Sequence, residues 1–163
     1  MVITALLPLP LALYLGKFNV PLWCAFVVWA QYFVYGANPG AFKVIFPCFA
    51  AGALWSTVGM VATALLGTAL PFLAALAIGF GVAIAFMIYT MRWVPAFQKG
   101  SLSYFNGMAM MLAVYFTGSY PTHIASGALA PIVAGIWAIL VGWLGAIFGW
   151  FNVTITFPKE VGG

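Results

Sequence analysis

Apolar residues fill most of this chain, and polar residues gather in a few short turns. Six apolar segments follow from that pattern, at about Ile3–Gly16, Pro21–Ala37, Phe42–Leu66, Pro71–Met91, Leu102–Ser119 and Ile124–Phe151. A helix that crosses a bilayer needs about 20 mostly apolar residues, and each segment meets or approaches that length. The first is short and carries Pro8 and Pro10. The second opens on Pro21, which suits a first helical turn. The third holds Pro47 a turn or so inside its start, and Pro131 gives the long sixth segment a place to kink. Segments two and five both end in Gly-rich polar turns, so each reads either as a full span or as a re-entrant half-helix. The expected fold is an all-α integral membrane protein with six transmembrane helices and short connections. It forms one transmembrane domain over residues 1–163, with 153–163 as a tail.

Composition explains why the solvent must be lipid. Of 163 residues, 66% are hydrophobic and 4% are charged, where a soluble domain carries roughly 25% charged residues. So little charge cannot cover a water-exposed surface of this size. The net charge of +4 comes from five dispersed Lys and Arg residues. Without a basic cluster, nucleic-acid binding is not expected. Cys24 and Cys48 lie in apolar runs and read as buried thiols. The N-terminal stretch has neither a charged leader nor a small-residue cleavage site, and reads as a retained first helix.

The few cations carry the topology. Six spans put both termini on one side, together with Lys43, Arg92, Lys99 and Lys159, and leave Lys17 on the other. Positive residues concentrate on the cytoplasmic side, so both termini are expected in the cytoplasm. Tyr14, Trp23, Trp93 and Tyr120 fall near span ends, where aromatic belts sit.

Displaced by 83 residues, the chain matches itself in places. Ala30, Tyr32 and Phe33 fall on Ala113, Tyr115 and Phe116; Ala51 and Gly52 fall on Ala134 and Gly135; Val58 and Gly59 fall on Val141 and Gly142. One residue of slippage also pairs Pro39 with Pro121 and Trp55 with Trp137. Repeats over 1–67 and 68–152 would each hold three spans. An odd number of spans inverts the second copy, giving a 3+3 inverted repeat of the kind transporters and channels use.

The first half contains Trp23-x2-Phe26, Tyr32-Phe33, a Gly-rich turn, Gly40-x2-Lys43 and Gly52-x2-Trp55; the second contains Phe105-Asn106-Gly107 and Phe116-x-Gly118. In these elements, across most of its length, the chain resembles the bacterial inner-membrane domain-of-unknown-function family 1097. It departs from the family where a Pro-Gly precedes the Phe, having Leu102-Ser103-Tyr104 instead. The resemblance implies a compact integral protein of the bacterial inner membrane and assigns it no activity.

Candidate chemistry is bounded first by absence. There is no Asp, and the one Glu is Glu160 in the tail, so an intramembrane carboxylate for ion coupling is lacking. No catalytic constellation, metal-ligand cluster or phosphate loop is present. The chain therefore reads as neither an enzyme nor a cofactor protein. What remains is a set of amides, hydroxyls and isolated cations. Gln31 lies mid-segment and serves either as a helix–helix hydrogen bond or as a pore-lining group. Lys43 opens a span, as a snorkelling anchor or as a cation at a pore mouth. His123 stands near the equivalent turn of the second half, as an interfacial histidine or as a pH-sensitive gate. Tyr32, Asn38, Asn106 and Tyr115 supply further hydrogen-bonding groups near the same turns.

A lumen of amides, hydroxyls and aromatic rings suits small neutral polar solutes. The leading expectation is a channel or facilitator for such a solute. The second is a structural or accessory membrane subunit without transport of its own. Small residues four apart, Gly52 with Ser56, Gly59 with Thr63 and Gly145 with Gly149, permit close helix contact. They serve packing within the chain or contact between copies, and a chain this small is expected to form a homo-oligomer in the bilayer.

Overall fold

The protein is described by a computed structural model that covers Leu6, Pro10 and residues 18–156. All the regular elements among those residues are helical. They are α1 (Leu22–Val34), α2 (Phe42–Leu66), α3 (Phe72–Trp93), α4 (Pro95–Lys99), α5 (Ser101–Phe116) and α6 (Leu129–Thr156). Single 3-10 turns, Pro39–Ala41 and Thr122–Ile124, precede α2 and α6. The expected first segment, Ile3–Gly16, lies outside the described residues apart from Leu6 and Pro10, as do Lys17 and Lys159.

Three stretches, Pro39–Leu66, Phe72–Trp93 and Leu129–Thr156, are long and apolar enough to cross a membrane. The other two expected spans are shorter. With 13 residues in α1 and 16 in α5, they reach about 20 and 24 Å against a hydrocarbon thickness of about 30 Å. Their ends share one device. After α1, the Gly36 N–H donates to the Phe33 carbonyl and the Ala37 N–H to the Tyr32 carbonyl; after α5, the Gly118 N–H donates to Tyr115 and the Ser119 N–H to Val114. Both are Schellman turns. They need a left-handed residue, supplied by Gly36 at φ 92° and Gly118 at φ 65°.

Other boundaries differ from the apolar pattern for local reasons. The apolar run into α6 begins at Ile124, but Thr122–Ile124 closes a 3-10 turn and Ala125 is extended, so the helix starts at Leu129. It then continues past Phe151 to Thr156, where the Thr154 Oγ1 donates to the Trp150 carbonyl at 2.9 Å and the Thr156 Oγ1 to Asn152 Oδ1 at 2.9 Å. The connection between α3 and α5 contains one more helical turn, α4, opened by Pro95.

α2 is the axis of the bundle. α6 crosses it antiparallel, with the Trp143 Nε1 donating to the Phe46 carbonyl at 3.2 Å and Gly135 lying against Thr57. α3 is also antiparallel to α2; Trp55 stacks on Phe86 at 6.1 Å, and Gly59 meets Phe80 and Ala83. α5 runs parallel to α2. Gly52 backs onto the Tyr104 carbonyl, Gly107 onto the Phe49 carbonyl, and the Ser56 Oγ donates to the Met108 carbonyl at 3.3 Å. α1 runs parallel to α6, with Gly145 against the Ala25 backbone and Gly149 against Trp29 and Tyr32. The three small-residue pairs are thus used in packing within the chain. This topology gathers Lys43 at the start of α2, Arg92 at the end of α3 and Lys99 in α4 at one end of the bundle. His123 lies at the other.

Candidate functional site

Gln31 is buried in the last turn of α1 and faces α5. Its Oε1 accepts a hydrogen bond of 2.5 Å from the Ser103 Oγ, and the Ser103 N–H donates to the Tyr35 hydroxyl at 3.2 Å. The Gln31 Nε2 has no partner, nor has the hydroxyl of fully buried Tyr32. An unpaired buried amide or hydroxyl costs on the order of 1–3 kcal/mol. The end of α1 therefore carries two buried polar groups without partners, the Gln31 amide at the contact with α5 and the hydroxyl of Tyr32, which packs on Phe42 and Gly149. Asn106 is half-buried one turn beyond Ser103 on α5.

Two clefts lie at opposite ends of α2. The first, about 400 Å³, is lined by Tyr32, Ala37, Asn38, Pro39, Trp150, Val153 and Thr154. The second, about 290 Å³, is lined among others by Met60, Thr63, Thr68, Phe72 and Tyr115. The Asn38 amide is engaged in shaping its turn, because Oδ1 accepts from the Gly40 N–H at 2.8 Å and Nδ2 donates to the Gly36 carbonyl at 3.3 Å. Tyr115 stacks on Tyr120 at 6.3 Å, nearly parallel. Burial, and then the neighbouring Tyr115, push the Tyr120 phenol above its ordinary value, so it is neutral at physiological pH.

The seven residues singled out by sequence are thus spread over the bundle and do not converge on one site. Gln31 belongs to the contact of α1 with α5, and Asn106 is half-buried on α5 one turn beyond its partner Ser103. Tyr32 and Asn38 line one cleft and Tyr115 lines the other. Lys43 and His123 are exposed at opposite ends. Among the described residues, no group of three or more His, Cys, Asp or Glu side chains lies together.

A family model described as "Protein of unknown function (DUF1097)" matches residues 1–157. The chain belongs to the DUF1097 family. No curated protein and no solved structure matches it. The motif residues that carry the likeness fall at structural joints of this DUF1097 chain. Tyr32 and Phe33 stand in the last turn of α1, Gly40 and Lys43 bracket the entry to α2, and Gly52 and Gly107 are where α2 and α5 touch backbone to backbone.

Sequence reasoning missed Ser103, the partner of Gln31. The spacing of Ser103 and Gly107, one helical turn apart, marks a close-packed face of α5 but not what meets it. Also missed were Thr63, Thr68 and Thr154, whose place in the clefts depends on which turn of each long helix faces the end of a short one.

Proposed function

We propose that this DUF1097 protein is a channel or facilitator for a small, mostly uncharged polar solute, built from six spans in the bacterial inner membrane with both termini in the cytoplasm. The observation that carries the reading is the Gln31 amide, whose Nε2 is buried and unpartnered while its Oε1 is held by Ser103. Lipid cannot satisfy that donor, whereas water or a passing solute can. The grouping of Lys43, Arg92 and Lys99 at one end of the bundle supports the orientation. Catalysis has no place in this reading.

The 3+3 inverted repeat is supported by spacing and direction. The two left-handed glycines, Gly36 and Gly118, are 82 residues apart, and the 3-10 turns Pro39–Ala41 and Thr122–Ile124 are 83 apart. α1 lies along α6 as α5 lies along α2, and α2 and α6 are antiparallel. Exchanging the halves therefore maps each parallel pair onto the other with its direction reversed. In this arrangement α1 and α5, each shorter than a full span, enter from opposite faces. Association with further copies would use surfaces other than the internal glycine contacts.

Stopped-flow swelling of proteoliposomes tests the function. Urea, acetamide or glycerol is expected to enter at least about tenfold faster than into empty liposomes, a barrier lowered by ~1.4 kcal/mol, while sodium and potassium do not enter. Equal rates with and without protein for every neutral solute would remove the facilitator reading.

One observation favours an accessory subunit instead. α3 packs chiefly on α2 and turns Leu73, Val82, Phe86 and Trp93 outward, a face that serves a partner as well as lipid. In that reading the protein copurifies with another membrane protein and moves no solute.

A further inference from the structure

Both clefts are built from the same parts. Each lies where the C-terminal end of a short helix, α1 or α5, meets the C-terminal end of the long helix running parallel to it. Tyr32 of α1 and Tyr115 of α5 hold corresponding positions, 83 residues apart. Beside Tyr32 stands Thr154 of α6; beside Tyr115 stand Thr63 and Thr68 at the end of α2.

The threonines share one hydrogen-bond state. Thr154 Oγ1 donates to the Trp150 carbonyl at 2.9 Å, Thr63 Oγ1 to Gly59 at 2.8 Å and Thr68 Oγ1 to Leu65 at 2.8 Å. A hydroxyl that has given its proton to its own helix keeps its lone pairs. Thr154 and Thr68, both exposed, therefore offer one acceptor oxygen in each cleft, whereas Thr63 is buried against Gly79. The tyrosine hydroxyl is the complementary donor, and that of Tyr32 is buried without a partner. No charged side chain lines either cleft. The volumes hold several waters at about 30 Å³ each, or one small organic molecule.

We propose that the two clefts are equivalent binding vestibules, one at each end of the bundle. Each takes a small neutral molecule with both an N–H or O–H and a carbonyl or hydroxyl oxygen. The tyrosine hydroxyl donates to the solute's oxygen, and the threonine oxygens accept from its N–H or O–H. Carboxylates and ammonium ions meet no countercharge there and are disfavoured. The proposal rests on the facilitator reading and adds how the solute is recognised at each mouth.

The test uses the full chain with Cys24→Ala and Cys48→Ala, carrying either Val153→Cys or Ala64→Cys, half-buried lining positions that supply no hydrogen bond to the solute. Right-side-out and inside-out vesicles are treated with a membrane-impermeant maleimide, with and without acetamide. Val153→Cys is expected to label from one side and Ala64→Cys from the other, and acetamide is expected to slow both. Tyr32→Phe should raise the half-protecting acetamide concentration about fivefold at Val153→Cys only, and Tyr115→Phe should do so at Ala64→Cys only, the scale of one net hydrogen bond. Labelling of both from the same side, no labelling from either side, or protection insensitive to the tyrosine hydroxyls would each overturn the proposal. Labelling needs no net transport, so the two readings separate. Side-specific protection without swelling flux leaves the vestibules and removes the facilitator. Selective flux without that protection does the reverse.

Discussion

Gly52→Leu is expected to destabilise the bundle by about 3 kcal/mol or more, the upper end of what overpacking costs. A side chain at Gly52 would land on the Tyr104 carbonyl of α5, and one at Gly107 on the Phe49 carbonyl of α2. The obstacle at both positions is backbone, not the end of a flexible side chain, so α5 must move bodily. That movement would also pull Ser103 from Gln31, since Ser103 sits one turn before Gly107 on the same helix. Gly81→Leu is the matched control, because nothing lies within 4 Å of a Cβ built there; its effect on the chain's own fold is expected within about 0.5 kcal/mol. Fluorescence-detected size exclusion after heating reads both. Equal thermal midpoints for the two variants would mean that α2 and α5 are not locked backbone to backbone.

Gln31→Leu separates function from fold. Replacing the amide removes one hydrogen bond, to Ser103, and such bonds between membrane helices contribute about 0.6 kcal/mol on average. It also removes the unpartnered Nε2 from the bundle interior, which offsets part of that loss. The thermal midpoint should therefore move little. Solute flux should fall at least about tenfold, because a leucine offers a desolvated solute nothing in exchange for its water, a barrier raised by ~1.4 kcal/mol or more. Ser103→Ala should instead retain flux, since the amide stays in place. If Gln31→Leu changed stability and left flux untouched, the amide would be a packing contact and the path would lie elsewhere.

Much of this architecture is legible in the sequence because lipid imposes length. Apolar runs long enough to cross a bilayer have few other uses, and α2, α3 and α6 fall close to where the pattern places them. The shortness of α1 and α5 is legible too, through Gly36 and Gly118, whose left-handed conformations stop each helix. The partners of each face are not legible. In a soluble helix the polar stripe says which side turns inward. In α2 and α6 nearly every position is apolar, so periodicity cannot tell a lipid-facing valine from a core one. Small residues mark close contacts, as Gly52 and Gly145 do, without naming the helix that arrives. The same ambiguity hid Ser103 from Gln31, 72 positions away, and hid the threonines from the tyrosines they flank. Asn38 shows a related difficulty, since a polar residue beside a cleft has both amide atoms engaged in its own turn.

The facilitator reading requires water or solute at the buried Gln31 amide, and a path from there toward the clefts. A high-resolution cryo-EM map of the full chain in lipid nanodiscs, with enough local detail to place waters, tests it most directly. Density for water or solute is expected within hydrogen-bond distance of Gln31 Nε2, continued by further sites toward Tyr32 and toward Tyr115. A Gln31 amide bonded only to protein groups, with dry packing between it and both tyrosines, would contradict it.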